Sequence, residues 1–152
     1  MDTHDHAWAA GFVDGEGHVY ISRRRQRKWT AYIMGIRVSQ KSRRPLERLE
    51  AMYGGSICAP DRKHSIYQWN VSASKAREAM EHMLPYFVLK REQVELALAF
   101  QSRRNVRGQV GRGRGPARDA SQDEDDFHAM KELRLSAAQE ATKEAQQKRA
   151  AS

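Results

Sequence analysis

The sequence predicts an α+β fold with the element order αββαββα(α), in which helices cover one face of an antiparallel four-stranded sheet. Three observations lead to this prediction. Apolar and polar residues alternate over 18–24 and 33–39, as they do in half-buried strands. Apolar residues recur at helical spacing before, between and after the strand pairs. The polar and basic strand residues share the second face, and the chain has no further element to cover it.

The first element is a helix over residues 3–14. Thr3 is a suitable N-cap, and the apolar residues that follow fall at helical spacing. Gly11 and Gly15 lie four residues apart, on one side of this helix, where they remove side-chain bulk. Gly15 and Gly17 end the helix. One side of it is therefore suited to close contact with another backbone.

A hairpin and a second helix come next. The two alternating stretches form the hairpin around a basic loop of about eight residues, from Arg24 to Ala31. Pro45 begins a helix at a position where proline is tolerated, and Gly54 and Gly55 end it.

The second hairpin pairs strands over 56–60 and 66–71, which turn around residues 61–63. A serine at position 72 or 74 then caps a helix that Pro85 stops. A fourth helix is predicted over residues 90–102, so the order of elements is helix, hairpin, helix, hairpin, helix, helix.

The chain divides into three predicted parts. Residues 1–104 form the domain, 105–120 a flexible linker rich in glycine and arginine, and 121–152 a helical extension. The acidic run Asp123–Asp126 lies at the start of the extension, where it matches the positive end of a helix dipole. A metal site there is the less favoured reading.

The composition restricts the kind of partner. The formal net charge is +8, with an isoelectric point near 9.9, and the positive residues fall into three clusters, which favours a nucleic acid. Cys58 is the only cysteine, which excludes a disulfide framework and a cysteine-based zinc site. No apolar run approaches membrane length, and no signal peptide is evident. We therefore expect a cytoplasmic, organellar or nucleoid-associated protein without a small-molecule substrate.

One segment carries the chemistry. The stretch Ala9–Gly17 (AAGFVDGEG) resembles the LAGLIDADG motif of homing endonucleases. Residues 38–44 (VSQKSRR) resemble the end of the family's second strand, and 84–93 (LPYFVLKREQ) the segment before its late helix. The resemblance spans residues 5–102 and implies a saddle-shaped sheet and a metal-dependent DNA endonuclease.

The resemblance also implies the site residues. Glu16 would be the central metal ligand, with the main-chain carbonyl of Gly15, and Mg²⁺ the cofactor; Mn²⁺ or Ca²⁺ are alternatives. Gln40 would orient the attacking water, and Arg44 and Lys90 would stabilise negative charge. Asp14 matches the first acidic position of the motif, where a structural role is expected.

Because the motif occurs once, two copies of the chain must supply the pair of carboxylates, and a twofold homodimer would match a pseudo-palindromic site in double-stranded DNA. The interface is predicted on the first helix, at Trp8, Gly11, Phe12 and Gly15.

The polar face of the sheet is the candidate surface for DNA, with the strands reading bases and the turns contacting phosphates. The predicted contacts are Tyr20, Ser22, Arg24, Gln26, Ile33, Gly35, Arg37 and Ser39 in the first hairpin, Gln68 and Asn70 in the second, and Arg27, Lys28, Arg62 and Lys63 in the turns.

Two other functions stay open. A catalytically inactive relative, acting as an RNA maturase or a transcription regulator, would share the fold and bind nucleic acid. A basic structural protein, such as a ribosome-associated factor, explains the charge but not the motif.

Overall fold

The fold is described from a computed structural model, which covers residues 2–25, 27, 30–59, 65–108 and 120–150. The elements are α1 (Thr3–Glu16), β1 (Gly17–Arg25), β2 (Thr30–Gln40), α2 (Arg44–Tyr53), β3 (Ser56–Cys58), β4 (Tyr67–Ser72), α3 (Ala73–Met83), a 3₁₀ turn (Leu84–Tyr86), α4 (Arg91–Gly108) and α5 (Ala120–Ala150). The predicted α+β order is confirmed, with the second predicted hairpin as β3 and β4.

The four strands form one antiparallel sheet in the order β1-β2-β4-β3. Gly17 pairs with Val38, and β4 pairs with β2 from Gln40↔Tyr67 onward. The two hairpins are therefore neighbours in the sheet. The C-terminal end of α1 lies next to the C-terminal end of β2.

Alternation along the strands separates two faces, as predicted. The covered face consists of residues that point toward the helices, and most of them are buried: Val19, Ile21, Arg23, Tyr32, Met34, Ile36, Val38, Trp69 and Val71. They pack against fully buried residues of the helices, among them Leu46, Met80 and Phe100. The residues of the other side, which we call the open face, are mostly exposed or partly exposed among the described strand residues.

Several boundaries differ from the sequence prediction. Helix α1 has Asp2 rather than Thr3 as its N-cap and continues to Glu16 rather than ending at residue 14. The loop expected from Arg24 to Ala31 is shorter, because Arg24↔Ala31 and Arg25↔Thr30 still pair as strand residues. The strand expected over 56–60 stops at Cys58, two residues before Pro60, a residue that cannot donate to a ladder. Helix α4 begins after Lys90 and continues to Gly108, into the segment expected to be linker.

The two glycines after α2 end that helix as predicted. Gly54 and Gly55 have φ of 69° and 91°, values that side chains disfavour. A Cβ on Gly55 would also lie 2.5 Å from the Asn70 carbonyl oxygen. The Gly54 carbonyl accepts a hydrogen bond from the buried Trp69 indole at 2.8 Å, which ties the turn to the core.

Helix α5 packs on the same core as the rest of the domain. Met130 is 1% exposed and belongs to the core cluster, and Phe127 packs beside it. The Glu124 carboxylate accepts hydrogen bonds from Arg23 and from the Tyr32 hydroxyl, and Asp126 pairs with Arg103. The acidic run therefore docks the helix through specific ion pairs, beyond the dipole matching expected from sequence.

Within the described ranges, no helix combines the length and apolar character that a membrane crossing requires.

Candidate functional site

Two acidic residues near the end of α1 have opposite surroundings. The side chain of Asp14 is 7% exposed, and its carboxylate accepts hydrogen bonds from three successive backbone N–H groups, those of Val88 (2.7 Å), Leu89 (3.2 Å) and Lys90 (2.9 Å). Glu16 is exposed and makes no hydrogen bond with any described residue. Asp14 thus joins α1 to the segment before α4, in agreement with the structural role expected of it, while the carboxylate of Glu16 stays available.

Lys90 lies next to this pair. Its ammonium group donates to the main-chain carbonyl of Asp14. Burial lowers the pKa of Lys90 below its usual value, and the negative charges of Asp14 and Glu16 act in the opposite direction. A lysine in this position brings a partly desolvated positive charge close to the carboxylate of Glu16.

The other two predicted members of the site lie at the same end of the sheet. Gln40 is the last residue of β2, two positions beyond the residue that pairs with Gly17. Arg44 is the first residue of α2 and is exposed. Neither side chain forms a hydrogen bond or ion pair with Glu16 or Lys90 among the described residues.

Two residues near this site, His18 and Arg134, were not predicted from the sequence. His18 follows Glu16 by two positions and is half-buried. Burial, and then the positive charges of Arg134, Arg37 and Lys90, lower the pKa of His18 to about 4, so the imidazole is neutral at pH 7. The alternation of β1 placed His18 beside Tyr20, but no sequence signal brought Arg134 of α5 to it.

The described strand residues predicted to contact DNA lie on the open face, and all but one are exposed or partly exposed. Six of the group are exposed or partly exposed on β1 and β2: Tyr20, Ser22, Arg24, Ile33, Arg37 and Ser39. Gln68 and Asn70 on β4 are partly exposed on the same face. Gly35 is buried. Arg27 is exposed, whereas Gln26, Lys28, Arg62 and Lys63 lie outside the described residues.

Side chains on the open face form hydrogen bonds across strands, with other side chains or with the main chain. The Ser22 hydroxyl donates to the Ile33 carbonyl at 3.3 Å, and the Gln68 amide donates to the Ser39 hydroxyl at 3.1 Å. Arg37 Nε donates to Asn70 Oδ1 at 2.9 Å. These contacts connect β1 to β2 and β2 to β4, so part of the polar surface is held in a fixed arrangement.

One surface of α1 also lacks cover. Ideal Cβ atoms on Gly11 and Gly15 would meet no atom within 4 Å. The rings of Trp8 and Phe12, both partly exposed, stack at 5.5 Å, and the guanidinium of Arg48 lies 4.1 Å from the Trp8 ring centre. The four residues predicted for a subunit interface thus include two glycines with free space over them and two aromatic rings beside them.

The described residues contain no group of three or more histidine, cysteine, aspartate or glutamate side chains arranged to hold a metal ion. A single chain therefore offers Glu16 as an isolated carboxylate. This donor set suits Mg²⁺, which keeps several waters and often binds through one or two carboxylates together with substrate phosphates.

Comparisons with known proteins agree with the fold. Residues 9–91 match the family model described as LAGLIDADG endonuclease. The homing endonuclease I-CvuI, solved with the I-CreI DNA target, is similar in structure: TM-score 0.61, 19% identity, 85% of this chain and 98% of the I-CvuI chain covered.

Two further solved structures are similar. The archaeal intron-encoded homing endonuclease I-Vdi141I, solved with DNA, has a TM-score of 0.55 and 15% identity, over 89% of this chain and 99% of its own. I-GzeII, also solved with a DNA target, has a TM-score of 0.63 and 14% identity, over 82% of this chain and 43% of its own. A comparison with curated protein sequences gave no match.

Proposed function

Because the chain belongs to the LAGLIDADG endonuclease family, we propose that it is a homing endonuclease that cuts both strands of a long, pseudo-palindromic DNA site as a homodimer, with Mg²⁺ as cofactor. The observation that supports this most directly is the pair of acidic residues at the end of α1. One of them is fully occupied in holding the fold, while the other is exposed beside a half-buried lysine.

Glu16 and the carbonyl of Gly15 would hold the divalent ion. Bound Mg²⁺ neutralises phosphate charge and lowers the pKa of a coordinated water, which is the chemistry that phosphodiester hydrolysis needs. Mn²⁺ or Ca²⁺ can occupy such oxygen sites as well. I-CvuI has been solved with DNA targets in the presence of Mg²⁺ and of Ca²⁺, which is consistent with this assignment.

The neighbouring polar residues would act on the phosphate and the water. Lys90 is tied to the end of α1 through the Asp14 carbonyl, so its charge stays close to the phosphate that Glu16 serves. Because it is half-buried, its field is screened less than that of a surface lysine. Arg44, exposed at the start of α2, would stabilise negative charge, and Gln40 would orient the attacking water.

Two copies would meet through α1. The glycines have space above them for a second backbone, and Trp8 and Phe12 provide apolar area at the same surface. A twofold axis through this contact sets one Glu16 near each DNA strand, and the open faces of the two subunits then extend along the two half-sites. Strands of this kind read base edges in the major groove, with basic turns on the phosphates.

Cleavage of plasmids that contain a randomised site tests the proposal. We expect linear product in the presence of Mg²⁺ and none with EDTA. Glu16→Gln, which keeps the side-chain size, should reduce the cleavage rate at least about 100-fold, because a metal ligand contributes several kcal/mol to the transition state. Binding of the same DNA in Ca²⁺ should persist.

Two results would point elsewhere. Specific binding without cleavage in any divalent metal would favour the inactive regulator or maturase. Cleavage that Glu16→Gln leaves unchanged would show that the metal site is not at α1.

A further inference from the structure

Four side chains from three strands form a connected layer on the open face. The guanidinium of Arg37 (β2) lies 5.4 Å from the centre of the Tyr20 ring (β1), and the His18 ring (β1) stacks with the Tyr20 ring at 5.9 Å. Arg37 Nε donates to Asn70 Oδ1 (β4) at 2.9 Å. We call these four residues the Arg37 cluster.

Gly35 makes room for the cluster. It pairs with Tyr20 across the hairpin, and a Cβ at this position would lie 2.6 Å from the Tyr20 hydroxyl and 2.7 Å from its Cζ. A side chain at residue 35 would therefore push the tyrosine ring away from the sheet. The ring lies over β2 because residue 35 is glycine, and the flat ring supports Arg37.

The cluster leaves one edge of the guanidinium free. Arginine has five N–H donors, and only the one on Nε is used by Asn70. No described residue accepts a hydrogen bond from the two terminal Nη groups, and the side chain is exposed. The free edge presents the Nη donors of a guanidinium that the Asn70 bond and the contact with the Tyr20 ring already restrain, which reduces the conformational entropy lost on binding.

We propose that Arg37 recognises a guanine in each half of the DNA target, donating from both Nη groups to O6 and N7, while Tyr20 and Asn70 position it. This inference rests on the proposed function and specifies part of its substrate. Bidentate donation to guanine is the commonest specific contact of arginine in the major groove, because O6 and N7 are the one pair of adjacent acceptors there.

The location of Arg37 fixes the part of the site that holds the guanine. Arg37 pairs with His18, which is two residues after Glu16. Two residues of strand span about 7 Å, and base pairs are spaced by about 3.4 Å. The guanine should therefore lie about two to four base pairs from the cleaved phosphate, near the centre of the target. The far end of the hairpin would serve the outer positions.

Selection from a library of randomised duplexes tests the inference. Bound sequences are collected in Ca²⁺ and cleaved sequences in Mg²⁺, for the wild-type protein, Arg37→Gln and Arg77→Gln. Arg77 is a matched control, since it is an arginine paired with Glu81 on α3, away from the open face. We expect an inner guanine in each half-site for the wild type and the control. Arg37→Gln should lose this preference at that position alone, with about 5- to 150-fold weaker binding to the guanine site.

Asn70 variants separate positioning from direct contact. Asn70→Ala removes the acceptor for Arg37 Nε, so the preference for guanine at the same position should weaken. Asn70→Asp keeps an acceptor oxygen and should keep the preference, even if its negative charge weakens binding to all sequences. If Asn70→Asp changed the base preference at another position of the target, Asn70 itself would contact that base. This result would overturn its assignment as a positioning residue.

The outcomes distinguish this inference from the proposed function. A cleaved site whose base preferences do not change in Arg37→Gln contradicts the inference and leaves the nuclease intact. Equal weakening of all sequences, with a lower salt dependence, would show that Arg37 contacts a phosphate. A bound but uncleaved site that loses its guanine in Arg37→Gln supports the inference and contradicts the nuclease. No enriched sequence in either selection overturns both.

Discussion

Arg23 and Arg37 lie on opposite faces of one sheet, and each has an aromatic ring beside its guanidinium, Phe127 at 4.9 Å and Tyr20 at 5.4 Å. They differ in their polar partners. Arg23, on the covered face, is neutralised by the carboxylate of Glu124, whereas Arg37, on the open face, is held by the neutral amide of Asn70. An arginine beside an aromatic ring thus forms an ion pair within the chain on the covered face. On the open face, the corresponding arginine keeps an uncompensated positive charge.

The two acidic residues at the end of α1 show the same contrast between a satisfied and an available charge. Asp14 is enclosed by backbone donors, and Glu16 is open. Where the chain packs on itself, it satisfies its charged and polar groups internally. Where it leaves such groups or glycines exposed, the surface suits a metal ion, a nucleic acid or a second subunit. Each of the following changes tests one part of this contrast.

The largest effect is expected for Asp14→Ala. The change removes the acceptor of three partly buried hydrogen bonds from backbone N–H groups, so the free energy of unfolding should fall by about 3–5 kcal/mol. Glu16→Gln is the matched control and should stay within about 0.5 kcal/mol of the wild type, because no described residue bonds to it. Urea unfolding followed by circular dichroism measures both. Equal losses in the two variants would remove the contrast between them.

The open surface of α1 should respond in the opposite way to added bulk. A Cβ on Gly11 meets no described atom within 4 Å, and glycine is a poor helix former, so in Gly11→Leu each subunit should fold at least as stably as before. Packing of two α1 helices should weaken by about 2–4 kcal/mol, since the added side chain enters the contact twice. Analytical ultracentrifugation reports the dimer. Ala99→Leu, at an exposed position of α4, is the control, and a dimer that tolerates Gly11→Leu would place the interface elsewhere.

Titration of Tyr53 tests the covered side at high pH. Burial, and to a lesser extent the Asp5 carboxylate, raise the pKa of Tyr53 to about 12 from an ordinary value of 10.0. Between these values the unfolded chain loses the proton and the folded chain keeps it, so stability present below pH 10 decreases as the pH rises to 12. The decrease should be about 2 kcal/mol. In Tyr53→Phe this part of the pH dependence should be absent; an unchanged slope would show that the phenol is not protected.

The smallest of the four effects is expected at the two arginines compared above. Glu124→Ala removes the acceptor of both Arg23 and Tyr32 and should measurably lower the unfolding free energy. Asn70→Ala on the open face should change it by less than about 0.5 kcal/mol. Thermal unfolding compares the two variants directly. A larger loss in Asn70→Ala would mean that the open face contributes to folding stability.

The sequence predicted the elements well because their patterns are local. Alternation in β1 and β2 identified the two faces correctly, since a shift of one residue would have buried arginines and exposed isoleucines. The glycines at 54 and 55 located the end of α2 for a similar reason. Strand ends were less certain: Arg25 and Thr30 pair across the hairpin, although nothing in their polarity distinguishes them from loop residues.

Contacts between segments that are distant along the chain could not be predicted from the sequence. Glu124 and Arg23 are 101 positions apart, and the acidic run of α5 is explained by its own helix dipole when the sequence alone is considered. The same holds for Arg134 near His18. The site residues at Glu16, Gln40, Arg44 and Lys90 were inferred through a family resemblance, and their roles stay predictions. The link from Asp14 to Lys90 needed the structure, because backbone donors leave no pattern in the residue types.

The packing of α5 on the core limits how far the chain can be shortened without loss of stability. A chain cut at residue 104 would match the boundary that composition suggests, but it would leave a cavity at the position of Met130 in the core. It would also remove Glu124, which bonds to Arg23 and Tyr32, and Asp126, which bonds to Arg103. Miniaturised or fused versions should therefore retain the first three turns of α5, through Met130, and shortening should begin from its far end.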